Sequence, residues 1–329
     1  MEKKVRMADI AQRLGISIVS VSKGLAGKDG VSEEMREKII ATAKEMGYTM
    51  PQEKKKEKKL SGNIGILVAD RFFADHAFYP NLYRSMLRQC RDSGFSGLLE
   101  IVYPEEERNC TVPTIVTTGK VDGLVFMGQL SRNYLRTMMN LDLPYILLDF
   151  YDDALDVDSV TSDNITGGFI LTSHILSTGR KKIGFVGSIY ATSSIMDRYL
   201  GYTKALLYEK IAIRPDWQIE DRDEAGHFIP IQLPEEMPEA FLCNCDEVAY
   251  NLIETLKRNG YRVPQDVAVA GYDDFQFAQV SDPPLTTYQV NVKDMGQMAI
   301  ARLVRRISGK RFTDGNTVVR GKFIRRGST

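Results

Sequence analysis

Two textures divide the chain. Ahead of residue 50 the apolar positions keep helical intervals. Ala11, Gly15 and Val21 fall four and six residues apart within residues 7–23, and Ile39, Ala43 and Met46 form a stripe on a later segment. The first spacing predicts a helix-turn-helix: Ala11 is small where two helices touch, Gly15 takes the tight turn, and Val21 packs back on the first helix. The second helix is expected over roughly residues 18–25, and it is the element that would enter a DNA major groove. A third opens after Ser32, a good N-cap followed by Glu33 and Glu34, and Gly47 ends it. From residue 63 the texture changes. Apolar runs at 64–69, 121–127, 145–149, 182–187, 240–243 and 267–271 predict buried strands, and segments 78–90, 165–177, 194–208, 247–258 and 292–307 predict helices. In one of these helices Val248, Leu252 and Leu256 share a face, with Asp246 placed as cap and Gly260 as stop. Strand–helix alternation of this kind implies parallel sheets built from βαβ units, so the fold class is α/β behind a three-helix head.

Composition sharpens the division. At 329 residues there is length for two or three domains with a sizeable core. Net charge is zero, which alone argues against a nucleic-acid binder. The average conceals a gradient: residues 1–60 carry 14 Lys and Arg against 9 Asp and Glu, and the remainder carries 29 against 34. A basic head on a mildly acidic body suits a head that meets phosphate and a body that does not. Residues 52–59 (QEKKKEKK), after Pro51, read as a linker or hinge. No apolar run reaches the roughly 18–20 residues that span a bilayer, and no signal-peptide core opens the sequence. Cys90, Cys110, Cys243 and Cys245 are too scattered for a disulfide framework, so the expected compartment is the cytosol.

Together with residues 7–23, the segments 31–39 (VSEEMREKI), 45–51 (EMGYTMP), 143–149 (LPYILLD), 162–168 (SDNITGG), 198–202 (RYLGY), 262–274 (RVPQDVAVAGYDD) and 283–287 (PPLTT) resemble, in order, those of the lactose-repressor/galactose-repressor (LacI/GalR) family of transcription regulators. The resemblance implies a helix-turn-helix DNA-binding domain with hinge over residues 1–60. Behind it, residues 61–329 would form a periplasmic-binding-protein-like core for effector binding and dimerisation. Its two Rossmann-like subdomains would comprise about 61–162 with 291–320, and about 163–290 with 321–329.

For the head, the resemblance assigns base-edge contacts to Ile18, Val19 and Ser20, with Ser17, Ser22 and Lys23 nearer phosphate. Two adjacent aliphatics depart from the usual polar or aromatic choice and suit thymine methyl groups. The alternative makes Ile18 and Val19 core residues of a helical hairpin. Relatives commonly have a short hinge helix that wedges a Leu into the minor groove. Here Lys54, Lys55, Lys56, Lys58 and Lys59 stand instead, and Leu60, farther from Pro51 than the family spacing, is the nearest wedge. The lysines suit either nonspecific phosphate attraction or a solvated linker.

For the cleft, the resemblance implies that Asp149 and Asp273 accept from ligand hydroxyls or amines, Arg198 donates a charge-assisted fork, and Tyr79 and Phe150 stack on an apolar ligand face. Asp163 and Asp246 fall on further acidic positions. The rule that sites in open α/β sheets lie beyond the carboxyl ends of strands points to Asp70, Asp149, 187–198, 245–246 and 273–275. Each residue also has a purely structural reading: Asp163 and Asp246 as N-caps, Asp273 in a turn, Arg198 paired with a surface acid, and Tyr79 and Phe150 in the core. Cys245 stands where sugar-binding relatives often carry Asn. A thiol is a poor donor to a hydroxyl, which points away from the usual monosaccharide.

No enzyme emerges from the residues. Cys243-Asn244-Cys245 lacks partners at metal spacing, the three histidines (His76, His174, His227) sit in no nucleophile–base motif, and no phosphate-binding glycine loop occurs. No cofactor or metal is expected. The reading is a cytosolic homodimeric repressor. It would bind a double-stranded DNA operator, and a small-molecule effector in the cleft, a sugar or sugar derivative, would change the spacing of its two heads. Two rivals stand beside it. A solute-binding protein of transport predicts an export signal and no helix-turn-helix. A regulator whose cleft takes no small molecule would answer to a protein partner instead, which Cys245 and the lysine-rich hinge favour.

Overall fold

The computed structural model describes residues 5–26, 29–48, 60–73, 78–309 and 315–329; the lysines expected in the hinge and His76 lie outside them. The chain divides into two compact units, Met1–Lys59 and Leu60–Thr329.

In the first unit, helices α1 (Met7–Leu14), α2 (Ile18–Leu25) and α3 (Glu33–Glu45) enclose a small core of Ile10, Ala11, Val21, Ile39 and Ala43. Gly15 ends α1 in the left-handed region, at φ 66°, where glycine carries no steric penalty. Ser17 caps α2 by accepting from the Ser20 N–H at 3.0 Å, and Ser32 caps α3 by accepting from that of Met35.

The second unit is bilobal. A six-stranded parallel sheet runs β11-β5-β4-β3-β1-β2, from β1 (Asn63–Ala69), β2 (Ser96–Val102), β3 (Gly123–Met127), β4 (Tyr145–Leu148), β5 (Ser159–Ser162) and β11 (Asn316–Val319). A four-stranded parallel sheet runs β7-β6-β8-β9, from β6 (Ile183–Val186), β7 (Gln218–Ile219), β8 (Ala240–Cys243) and β9 (Ala268–Ala270). Strands β10 (Thr287–Gln289) and β12 (Lys322–Ile324) pair antiparallel with each other. Helices α4 (Asp70–Phe73), α5 (Phe78–Asp92), α6 (Pro104–Arg108), α7 (Thr114–Thr117), α8 (Arg132–Met139) and α13 (Val292–Ile307) accompany the larger sheet. Helices α9 (Asn164–Ser177), α10 (Ser193–Tyr208), α11 (Asp246–Arg258) and α12 (Gln276–Val280) accompany the smaller one. The chain passes between the lobes three times: from β5 to α9, from β10 to α13, and from β11 to β12.

Several elements lie outside the predicted set. β5 is fully buried, yet Ser159, Thr161 and Ser162 make it read as a loop; Asn316 Oδ1 accepts from the Ser159 and Thr161 hydroxyls at 3.0 and 3.1 Å. β2 is an edge strand whose run is broken by Gly97 and Glu100. Burial that depends on hydrogen-bonded hydroxyls, or on one covered face, leaves little apolar signature.

Candidate functional site

On the head, the exposed start of α2 presents Ile18 and Val19, 53% and 64% exposed, while Val21 of the same helix is buried. The two aliphatics therefore face solvent rather than the core. Ser22 and Lys23 are exposed and Ser20 is half-buried. The Ser17 hydroxyl is engaged within the head, as cap and at 2.9 Å from that of Ser20. Leu60 is exposed, and next to it Asp122 accepts from the N–H groups of Ser61 and Gly62, both at 2.8 Å.

In the body, a cavity of about 220 Å³ lies where the carboxyl ends of the strands converge. Asp149 follows β4, Asp273 lies just beyond β9, Asn244 and Cys245 follow β8, Arg71 and Phe72 lie on α4 beyond β1, and Thr192 to Arg198 open α10. Asp149 (φ 70°) and Asp273 (φ 110°) occupy the left-handed side of backbone space, at a cost of about 1–3 kcal/mol each. Neighbours hold them there. The Asp149 N–H donates to Val160 O at 2.8 Å and the Ser194 hydroxyl to Asp149 O at 2.7 Å; the Asp273 N–H donates to Tyr288 O at 2.9 Å.

Arg198 is 6% exposed and heavily bonded. Its Nε donates to Asn164 Oδ1 at 2.9 Å and its Nη1 to the Asn244 carbonyl at 2.5 Å, while Nη2 lies 3.5 Å from Asp273 Oδ1. The guanidinium stacks 4.0 Å from the Tyr272 ring centroid. Burial opposes its charge, but Asp273, with Tyr272 and Asp149, outweighs burial and holds the group protonated. Two glycines seat it: a Cβ on Gly168 would collide with the Arg198 carbonyl, and one on Gly201 with the Ile165 carbonyl. α9 and α10 can approach closely only because both are absent. Tyr79 donates to Asp149 Oδ2 at 3.0 Å and packs 4.9 Å from Phe72 and 5.1 Å from Phe78, giving one aromatic wall.

The structure thus brings Tyr79, Asp149, Arg198 and Asp273 together on the lining, and leaves Phe150, Asp163 and Asp246 off it. Phe150 is 1% exposed, buried in the body's core. Asp163 caps α9 by accepting from the Thr166 N–H at 3.3 Å. Asp246 lies inside the first turn of α11, and Cys245 holds the cap position expected for it. Its Oδ1 accepts from Thr287 at 2.7 Å and its Oδ2 from the Phe275 N–H at 3.2 Å, so it braces the loop that carries Asp273. Burial raises its carboxyl to about 7.

Residues 6–51 match the family model described as bacterial regulatory proteins, lacI family, and residues 172–329 match a periplasmic binding protein-like domain. The chain is thus similar to the lacI family at its head and to periplasmic binding protein-like domains in its body. It is 28% identical over 307 residues to the ribose operon repressor of Haemophilus influenzae, spanning 92% of this chain and 91% of that one. It is 29% identical over 331 residues, 98% of each chain, to the transcriptional regulator RegA of Clostridium saccharobutylicum. Among solved structures, the transcriptional regulator CelR–cellobiose complex superposes with a TM-score of 0.71 at 23% identity, over 99% of this chain and 100% of that one. The Lac repressor dimer bound to operator and an anti-inducer does so at 0.69 and 22%, over 99% of each. These likenesses share the lacI-family fold, a helix-turn-helix head followed by a two-lobed body.

The lining also contains residues that the family comparison of the sequence did not reach: Arg71, Phe72, Phe78, Asn244, Arg222 and Phe228. Arg71 and Phe72 sit directly after the strand-end position Asp70, and Phe78 precedes Tyr79, so their neighbours carried a signal. Arg222 and Phe228 form an isolated antiparallel bridge in an irregular segment, where no periodicity marks them. Among the described residues, no group of three or more His, Cys, Asp or Glu is placed to hold a metal ion, and no helix is long and apolar enough to cross a membrane.

Proposed function

We propose that the chain is a lacI-family regulator, a cytoplasmic, homodimeric repressor that reads a double-stranded operator through α2 and answers to a small molecule in the cavity. The ranges that go with this reading are residues 1–60 for head and hinge and 61–329 for the effector-binding body. Ile18, Val19 and Ser20 would meet base edges and Ser17, Ser22 and Lys23 phosphate. Tyr79, Asp149, Arg198 and Asp273 would hold the effector, a sugar or sugar derivative.

The observation that carries the reading is the lining itself. Two carboxylates, a buried arginine and an aromatic wall converge on a cavity of about 220 Å³, small beside the 300–1,000 Å³ of drug-sized sites and suited to one ring. Carboxylates held at strained backbone angles are an outlay that packing alone does not call for. A ligand bound differently by closed and open lobes would shift the dimer between operator-competent and incompetent states. Two of the similar proteins, a ribose operon repressor and a cellobiose-bound regulator, support the carbohydrate assignment.

Selection from a pool of random duplexes, with anisotropy on the enriched sequence, tests the first half. Adding sugars and sugar derivatives to that complex tests the second. A protein without sequence preference would overturn the reading. One that prefers a sequence but ignores every small molecule would shift it toward a body that answers to a protein.

A further inference from the structure

Three guanidinium groups line the cavity, and they are engaged differently. Arg198 is bonded as described above. Arg71 uses both terminal nitrogens, donating to Glu107 Oε2 at 2.6 Å and to the Gln129 carbonyl at 2.7 Å. Arg222 is bound through its inner nitrogen: Nε donates to Asp221 Oδ2 at 3.0 Å, and the group lies 4.8 Å from the Phe228 ring centroid. Among the described residues its two terminal nitrogens meet no acceptor, although the side chain is only 13% exposed.

A sheltered guanidinium is charged at any working pH and keeps four N–H donors in a planar fork. That fork matches the paired oxygens of a carboxylate or phosphate. Asp221 does not fill it. That carboxylate also accepts from the Ser188 N–H and the Asn244 amide, both at 2.7 Å, so it fixes the direction of Arg222 from behind. Asn244 adds a complementary demand: its side chain is fully buried and its Oδ1 has no partner among the described residues, which suits a ligand hydroxyl. The exposed Glu220, Asp223 and Glu224 line an outer groove. Salt screens charges placed in solvent, so they bear on the rate of entry more than on the fork.

We propose that the effector is anionic: a hydroxylated ring bearing a carboxylate or phosphate that Arg222 grips through its terminal nitrogens. This rests on the small-molecule reading above and narrows it.

The test uses full-length protein and matched probes at fixed ionic strength: glucose, galactose and ribose against glucuronate, galacturonate, glucose 6-phosphate and ribose 5-phosphate. Calorimetry on wild type should find an anionic probe bound at least about tenfold more tightly than its neutral parent, the range of a charge-assisted hydrogen bond. The acid and phosphate arms separate the two sources of the anion. Arg222→Met should erase that margin, and the double variant Asp221→Asn/Arg222→Met should do the same with the buried pair removed as a unit. Neutral parents bound as tightly as their anionic forms, or a margin that survives in both variants, would overturn the proposal and leave the small-molecule reading intact. If no probe of either class binds, both fail.

Discussion

The Ser194 hydroxyl on the four-stranded lobe donates to the main-chain carbonyl of Asp149 on the six-stranded lobe at 2.7 Å. The residue whose carboxylate faces the cavity is thus held by the opposite lobe. Neighbouring bonds span the same seam: the Ser193 N–H donates to Gln129 Oε1 at 2.7 Å, and the Tyr151 hydroxyl to Asp197 Oδ1 at 2.9 Å. Ser194→Ala leaves a buried carbonyl without this donor and should cost about 1–3 kcal/mol. Urea denaturation reads the loss directly. An unchanged midpoint would mean that water replaces the hydroxyl.

Arg198 should fail in two separable ways. Arg198→Met strips the charge partner from Asp273 and the donor from Asn164, and breaking a buried pair of this kind costs about 3–5 kcal/mol. Arg198→Lys keeps a charge but not the planar fork, so it should keep more of the stability and still lose the effector response. Denaturation paired with operator anisotropy, with and without effector, checks both. Arg198→Lys responding like wild type would place Arg198 outside the binding machinery.

On the head, Ser17 and Lys23 should separate although both lie near phosphate in the proposed complex. Lys23→Ala removes one cation and should flatten the logarithmic salt dependence of operator binding by about 0.9. Ser17→Ala removes the cap of α2 and should cost about 1 kcal/mol of head stability, with the salt slope kept. Affinity measured across a salt series decides. Equal slopes in Lys23→Ala and wild type would exclude Lys23 as a phosphate contact.

Much of this was legible in the residues, and the exceptions share a cause. α2 and α13 fall at Ile18–Leu25 and Val292–Ile307, the ranges that periodicity predicts, because each buries one continuous stripe. Asp149, Arg198 and Asp273 could be placed because strand ends converge in such sheets. Phe150 and Asp246 were misplaced because sequence position puts a residue at a strand end without fixing which way it turns. Asp149 adopts positive φ and Phe150 then points into the core. Arg222 was missed for the opposite reason: it lies in a charged loop that no period describes.

Asp246 predicts a pH signature. Its carboxyl ionises near 3.8 in the unfolded chain and is raised to about 7 in the folded one. Between those values the folded chain keeps a proton that the unfolded chain has released. Its contribution to stability is therefore complete below about pH 4 and is lost as pH rises through 7. Asp246→Asn should remove that part of the slope. Melting temperatures of both proteins from pH 4 to 8 test this, and parallel curves would show that Asp246 does not titrate in the window.

Residues 316–329 supply the edge strand β11 to one sheet and β12 as the partner of β10. Ser328 then bonds Val269 twice, through its carbonyl at 2.9 Å and its hydroxyl at 2.6 Å. Both halves of the body therefore wait for one late-made stretch of polypeptide. The head, a compact unit of its own, can mature while the ribosome is still working, but the receptor that follows it must remain incomplete until those residues emerge.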